Sequence, residues 1–265
     1  MTAALRGARW VFLLAVAVFL AAPLVVVAGV SFNGNARMTF PPEHPGLLWY
    51  RTFINDPDWM ASFRTSLVVA SLAALLAMSA AFPICYTAWK YRSRAAGVLR
   101  AAGLLSFALP PVVLGIVFLV FWSALGHAGR MEDTVISHAV VFVALPLATL
   151  GLGFRAVDPA LVQAAQTMGA RDNDVLRTIV LPLVAPYIVS GLVFVFILSL
   201  NEYIIAYLVA GFTVQTLPIK VFNNLRMGFQ PTMCVGAVLF ALVGAAGFSA
   251  VAAIGDLPKL LGGEE

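Results

Sequence analysis

Long apolar runs separated by short polar segments set the pattern of this chain. Charge-poor runs cover about residues 10–30, 66–88, 101–125, 136–154, 186–210 and 234–254. Each approaches the roughly 20 apolar residues that a helix needs to cross a bilayer core. The pattern predicts an all-α polytopic membrane protein with six transmembrane helices, which would leave both termini on one side. Pro83, Pro110, Pro111 and Pro146 fall within these runs and predict kinks rather than binding sites. Between the first two runs, 31–65 is long and Pro-rich and carries Trp49, Tyr50 and Trp59. It reads as an outer-face cap with a short helix at the depth that Trp and Tyr prefer. Segment 211–233, punctuated by Pro218, Gly228 and Pro231, reads similarly.

Composition agrees with this pattern. Of 265 residues, 62% are hydrophobic and 11% charged, and the mean hydropathy is +0.96. A soluble domain is about 45–50% apolar and about 25% charged. A soluble enzyme, a disordered regulator and a nucleic-acid-binding domain all fit poorly. The net charge of +4 bears on orientation rather than on nucleic acid. Arg6, Arg9, Lys90, Arg92, Arg94, Arg100, Arg155, Arg171, Arg177 and Lys259 fall on one side of the six-span scheme. The other side has fewer: Arg37, Arg51, Arg64, Arg130, Lys220 and Arg226. Basic residues in short loops favour the cytoplasmic side, so both termini and the 155–185 loop are expected inside. The first run is too long for the apolar core of a signal peptide and has no clear cleavage site, so it is expected to stay as an anchor. Cys85 and Cys234 lie in apolar runs without metal-like spacing and read as small buried residues.

Few polar groups lie within the runs. Glu202 sits in the fifth, where a charge costs about 2.5–3.5 kcal/mol at mid-span. One reading makes it a counter-charge for a cationic solute, with Asn201 beside it and Tyr203 and Tyr207 offering cation–π faces. The other makes it a structural pair with a neighbouring span, or a group at the outer interface. His127 and His138 flank the outer end of the fourth run, where water is expected to reach them. Neither a GxSxG elbow nor an HExxH pair occurs, so no catalytic or metal-binding residues are assigned.

The inner loop is the most informative segment. Asp158 and Pro159 are a good N-cap and first helical residue, and Gly169 suits the position just beyond a helix end. Leu161, Ala164, Ala165 and Met168 fall on one stripe between them. A second helix is expected from about Asp172, with Pro182 marking the approach to the fifth run. So short a helix is marginal alone and needs a surface, either this protein's own spans or a partner.

Gln163-Ala164-Ala165, Gly169 and Ile179-Val180-Leu181-Pro182 resemble the EAA loop of ABC-importer permeases, E-A-A-x3-G-x9-I-x-L-P, in spacing and in place. Gln163 departs from that pattern, because the family usually has Glu there. A charge-assisted bond from this position would be lost, although hydrogen bonding would not. Three further strings resemble the spermidine/putrescine (PotC-like) group of permeases: LLWYRTFINDPDWMASFRTSL (47–67), LPPVVLGI (109–116), and SLNEYIIAYLVAG (199–211) followed by TLPIKVFNNLRMGFQP (216–231).

The resemblance implies a type I importer permease of MetI-like fold in a bacterial inner membrane. It implies an N-terminal helix and outer loop (1–60), a transmembrane domain (61–256) with its coupling loop at 158–182, and a cytoplasmic tail (257–265). The implied partners are a second, different permease chain, two ATP-binding subunits and a periplasmic or surface solute-binding protein. Gln163, Ala164, Ala165, Gly169, Ile179, Leu181 and Pro182 would couple to the ATPase. Asn201, Glu202, Tyr203 and Tyr207 would border the solute path, and the solute would be a polyamine or related amine. ATP and Mg would sit on the partners, because Lys90, Lys220 and Lys259 are the only lysines and none follows a phosphate-binding loop. The rival reading is a secondary transporter or channel that works without ATPases. Such proteins often carry inverted repeats and several intramembrane charges.

Overall fold

The computed structural model describes residues 3–254, and among these every regular element is helical. In chain order they are α1 (Ala3–Ser31), α2 (Leu48–Asn55), α3 (Pro57–Tyr91), α4 (Arg94–Leu105), α5 (Pro111–Ala124), α6 (Met131–Phe142), α7 (Ala144–Arg155), α8 (Pro159–Thr167), α9 (Asp172–Val175), α10 (Leu181–Asn201), α11 (Ile204–Ala210), α12 (Leu217–Met227) and α13 (Thr232–Ile254). A 3-10 turn, Ser106–Ala108, follows α4, and a π-helical turn, Leu176–Val180, joins α9 to α10. The tail 257–265 with Lys259 lies outside the described residues.

Four helical runs are long and apolar enough to cross a membrane: Arg9–Ser31, Pro57–Tyr91, Asp172–Asn201 and Thr232–Ala253. Two bent pairs bring the number to six if each is one span. The expected third span is broken at Pro110, with 113° between its halves. Pro110 is extended (φ −61°, ψ 135°) and Pro111 opens α5, a position where its missing N–H leaves no orphan. The fourth bends by 44° between Phe142 and Ala144, so Pro146 lies within the first turn of α7, where proline is tolerated. The second span starts earlier than expected. Asp56 accepts the N–H groups of Asp58 (2.8 Å) and Trp59 (3.3 Å) and so caps α3 at Pro57, shortening the loop between the first two runs. The fifth run also shifts toward the N-terminus. It begins at Asp172 and ends at Asn201, not near 210.

The described chain divides into two compact units. The first contains residues 3–63 and 220–242. Its α1 is apolar all round and exposed, with Trp10 71%, Phe19 78% and Leu20 66% accessible. Such a helix suits lipid, not water. The expected interfacial helix is α2. Phe53 on it is fully buried among Trp59 and Phe63. The loop before α2 is pinned by Asn33, whose Nδ2 donates to the carbonyls of Arg37 (3.0 Å) and Thr39 (2.8 Å) and whose Oδ1 accepts from Glu43 N–H (2.6 Å).

The second unit holds residues 64–219 and 243–254. Two apolar clusters form its core. One gathers Ala73, Ala77, Trp122, Phe142, Val195 and Ile205. The other gathers Cys85, Leu147, Leu150, Phe154, Val180 and Val184. Here α10 packs along α7, and Gly191 allows the close approach. A Cβ at Gly191 would stand 2.7 Å from Thr149 Oγ1 and 2.9 Å from Met78 Cε. Cys85 and Cys234 are free and buried.

Candidate functional site

The loop 155–185 folds much as its sequence suggests, and then exposes what a helix packed on its own spans would hide. Asp158 accepts the N–H of Ala160 at 2.8 Å, and Pro159 opens α8. The helix closes with a Schellman turn: Gly169 N–H donates to Gln166 O (3.0 Å) and Ala170 N–H to Ala165 O (3.0 Å). Gly169 has φ +88°, which glycine adopts without strain. Within α8 no residue is buried. Only Val162 and Ala165 are half-buried against the second cluster. Leu161 is 50% and Met168 87% exposed. Leu161, Ala164 and Met168 of the predicted stripe therefore point outward, with Gln163 exposed beside them, and only Ala165 of the stripe is half-buried.

Asp172 ties the loop together. Its Oδ2 is 2.7 Å from Lys90 Nζ at the end of α3, and its Oδ1 accepts from Gln166 Nε2 at 3.3 Å. A cavity of about 530 Å³ lies between them, bordered by Tyr86, Trp89, Arg92, Gln163, Val175 and Leu176 among others. Ile179 belongs to the π turn, and Leu181 and Pro182 open α10. Pro182 is thus no break: the helix runs unbroken from Asp172 to Asn201 over 30 residues. At 1.5 Å per residue that is about 45 Å. The candidate coupling residues Ile179, Leu181 and Pro182 and the candidate path residue Asn201 therefore share one rod.

Glu202 stands where that rod stops. Its backbone is extended (φ −74°, ψ 129°). Its carboxylate accepts the N–H groups of Ile205 (2.8 Å) and Ala206 (3.0 Å), capping α11. His138 Nε2 lies 3.2 Å from the same carboxylate, and His138 Nδ1 lies 2.7 Å from Ser199 Oγ. His138 is fully buried, contrary to the expectation that water reaches it, because α6 turns it inward toward α10. Glu202 also lies outside any continuous span, at the break between α10 and α11. Tyr203 and Tyr207 stack at 5.4 Å with 25° between their planes, and Tyr207 borders an apolar cavity of about 370 Å³ with Leu119, Phe212 and Thr213. Asn201 is exposed, its Nδ2 donating to Ile197 O.

Sequence reasoning missed several of these partners. Trp122 Nε1 donates to Ser137 Oγ (3.0 Å), one residue from His138. Buried Asp133 lies 2.6 Å from His127 Nδ1 and accepts the N–H of Arg130 (2.9 Å). The acid Glu202 ahead of an apolar run is a helix-start signal, but apolar residues on both sides hid it. Among the described residues, no three His, Cys, Asp or Glu side chains converge to hold a metal.

The family described as "Binding-protein-dependent transport system inner membrane component" matches residues 85–256. The chain is 28% identical over 254 residues to the putrescine transport system permease protein PotI of Escherichia coli (strain K12), covering 91% of this chain and 89% of that protein. It is 31% identical over 255 residues to the molybdenum transport system permease protein ModB of Mycobacterium bovis (strain ATCC BAA-935 / AF2122/97), covering 90% of each. The crystal structure of a bacterial ABC transporter involved in the import of the acidic polysaccharide alginate matches with a TM-score of 0.65 at 16% identity, covering 91% of this chain and 93% of that chain. At that identity the likeness shows the fold.

Proposed function

The chain belongs to the family of binding-protein-dependent transport system inner membrane components, and from that premise we propose that it lines the solute path of an ATP-driven importer whose energy comes from separate subunits. Family membership weighs against an ATP-independent transporter or channel. The observation that carries the reading is the single rod Asp172–Asn201, with the coupling loop at one end and the candidate path residues at the other.

In this mechanism α8 docks on an ATPase subunit through its exposed face, including Leu161, Gln163, Ala164 and Met168. Ala165 and Gly169 set the turn that joins α8 to the rod. ATP binding by the partners moves α8, the Asp172 tie keeps the loop together, and Ile179, Leu181 and Pro182 pass the displacement into α10. The far end shifts the break at Glu202 and, with it, Asn201, Tyr203 and Tyr207. Nucleotide biases inward-open against outward-open states only through its different affinity for the two. This chain performs no covalent step, and ATP and Mg act at the partner subunits. A second, different permease chain completes the path, and a solute-binding protein delivers cargo from outside. The loop basic residues support cytoplasmic termini.

The proposed cargo is a polyamine such as putrescine, in keeping with the likeness to PotI and with the stacked tyrosines as cation–π faces. The likeness to ModB favours a second reading, a molybdenum oxyanion. Uptake of labelled putrescine, spermidine and molybdate, with and without the co-expressed ATPase, tests both. Uptake of the amine that vanishes with the ATPase is the expected result. Solute accumulation that persists without the ATPase would overturn the transport mechanism, and molybdate uptake alone would overturn the cargo.

A further inference from the structure

Apart from the coupling loop and the break at Glu202, a small cavity of about 170 Å³ opens between α3, α4 and α7, lined by Trp89, Arg100, Gly151, Phe154 and Arg155 among others. Two guanidinium groups border it and no acid does. Among the described residues neither Arg100 nor Arg155 has a carboxylate within ion-pair distance. Arg100 Nε is buried and has no hydrogen-bond partner. A guanidinium donor shut away from water and unpaired is unfavourable unless something supplies an acceptor.

The fold makes room for this charge. A Cβ at residue 151 would stand 2.7 Å from Arg100 Cζ, so glycine lets the guanidinium lie against α7 where a side chain would push it aside. Glycine inside a helix is itself destabilising, yet α7 carries one at this point. Trp89 and Phe154 stack at 5.5 Å to form an apolar wall. The planar forks of two arginines suit the oxygens of a phosphate ester.

Both a soluble phosphate and a lipid headgroup carry that chemistry. The surroundings favour the lipid. Trp89 lies two residues from the end of the span α3, and Arg155 is the last residue of α7. Trp and Arg are the residues that settle at the edge of a bilayer. On α4, on either side of Arg100, Val98, Leu99, Leu104 and Leu105 are 68%, 57%, 39% and 66% exposed, an apolar surface on which acyl chains can lie. We propose that this cavity binds the phosphate of an anionic phospholipid headgroup at the inner face of the membrane.

The test uses the full chain purified from membranes in mild detergent with the subunits it carries, exposed to equal amounts of phosphatidylglycerol and phosphatidylcholine and read by native mass spectrometry. The expected result is preferential retention of one phosphatidylglycerol. Arg100→Gln or Arg155→Gln should each weaken that preference roughly tenfold, the loss for about one charge-assisted hydrogen bond. Arg155 is exposed, so its variant folds whether or not Arg100→Gln does, and the melting temperature of each is recorded. Equal retention by the parent protein and Arg155→Gln would overturn the proposal. So would inorganic phosphate binding in an Arg155-dependent way with no lipid preference, which would assign the site to a soluble ion.

Discussion

His138 Nε2 and Glu202 Oε2 stand 3.2 Å apart, and both side chains are largely shut off from solvent. The same carboxylate caps α11 through Ile205 and Ala206, so one acid both ends the long rod and starts the next helix. Glu202→Ala removes the cap and strands His138. It should destabilise the protein by about 1–3 kcal/mol, read as a lowered melting temperature in detergent. Glu202→Gln keeps an acceptor for the cap and should melt close to the parent. With assembly verified, its uptake should also stay near the parent level. A selective loss of amine uptake in this variant would instead identify the carboxylate as a counter-charge for the solute.

At Gly169, no atom lies within 4 Å of where a Cβ would be. The constraint is backbone geometry alone, φ +88°. A β-branched residue there costs about 1–2 kcal/mol in the left-handed region and should open the Schellman turn. Gly169→Val is expected to leave ATP hydrolysis by the assembled complex largely intact while uptake falls. Unchanged uptake per ATP would remove Gly169 from the coupling path.

Lys90 and Asp172 bridge two segments far apart in sequence, but Asp172 is 62% exposed and its pairing is screened by salt. Lys90→Ala and Asp172→Ala should change the melting temperature little. Their effect should appear in the ratio of uptake to hydrolysis, stronger at low ionic strength than at high. The exchange Lys90→Asp with Asp172→Lys should recover part of the loss, which a double-mutant comparison would measure.

Gly191 has no such freedom. A side chain there meets Thr149 and Pro146 of α7 and Met78 of α3. Gly191→Val should cost about 1–3 kcal/mol by overpacking, seen as poor recovery from membranes or early unfolding. Gly244, where no atom lies within 4 Å of an added Cβ, is the control position and should accept alanine.

The six apolar runs, the α8 cap at Asp158 and the turn at Gly169 were legible because each rests on local chemistry: run length, a side-chain acceptor, a positive φ. The start of α3 was equally local, in Asp56-Pro57, but the aromatic loop reading masked it. What the sequence could not show came from long-range packing. His138 reads as an exposed histidine until α6 is set beside α10. Glu202 reads as a charge within a span until the chain breaks beneath it. The stripe Leu161, Ala164 and Met168 was visible, but not that it faces away from this chain's own core. Periodicity reports which residues share a face and not what that face meets.

The π-helical turn Leu176–Val180 has a bearing on how such a protein changes over time. Each residue of a regular helix advances the phase by about 100°, and the widened turn absorbs one residue more than its neighbours. Because the widened turn already takes up the extra residue, removing a single codon there would restore an even winding and leave Asp172 and Asp174 facing nearly as before, while Val184 and Gly191 stayed packed. A one-residue change in length can therefore be taken up at this point without turning either end of the helix away from its neighbours.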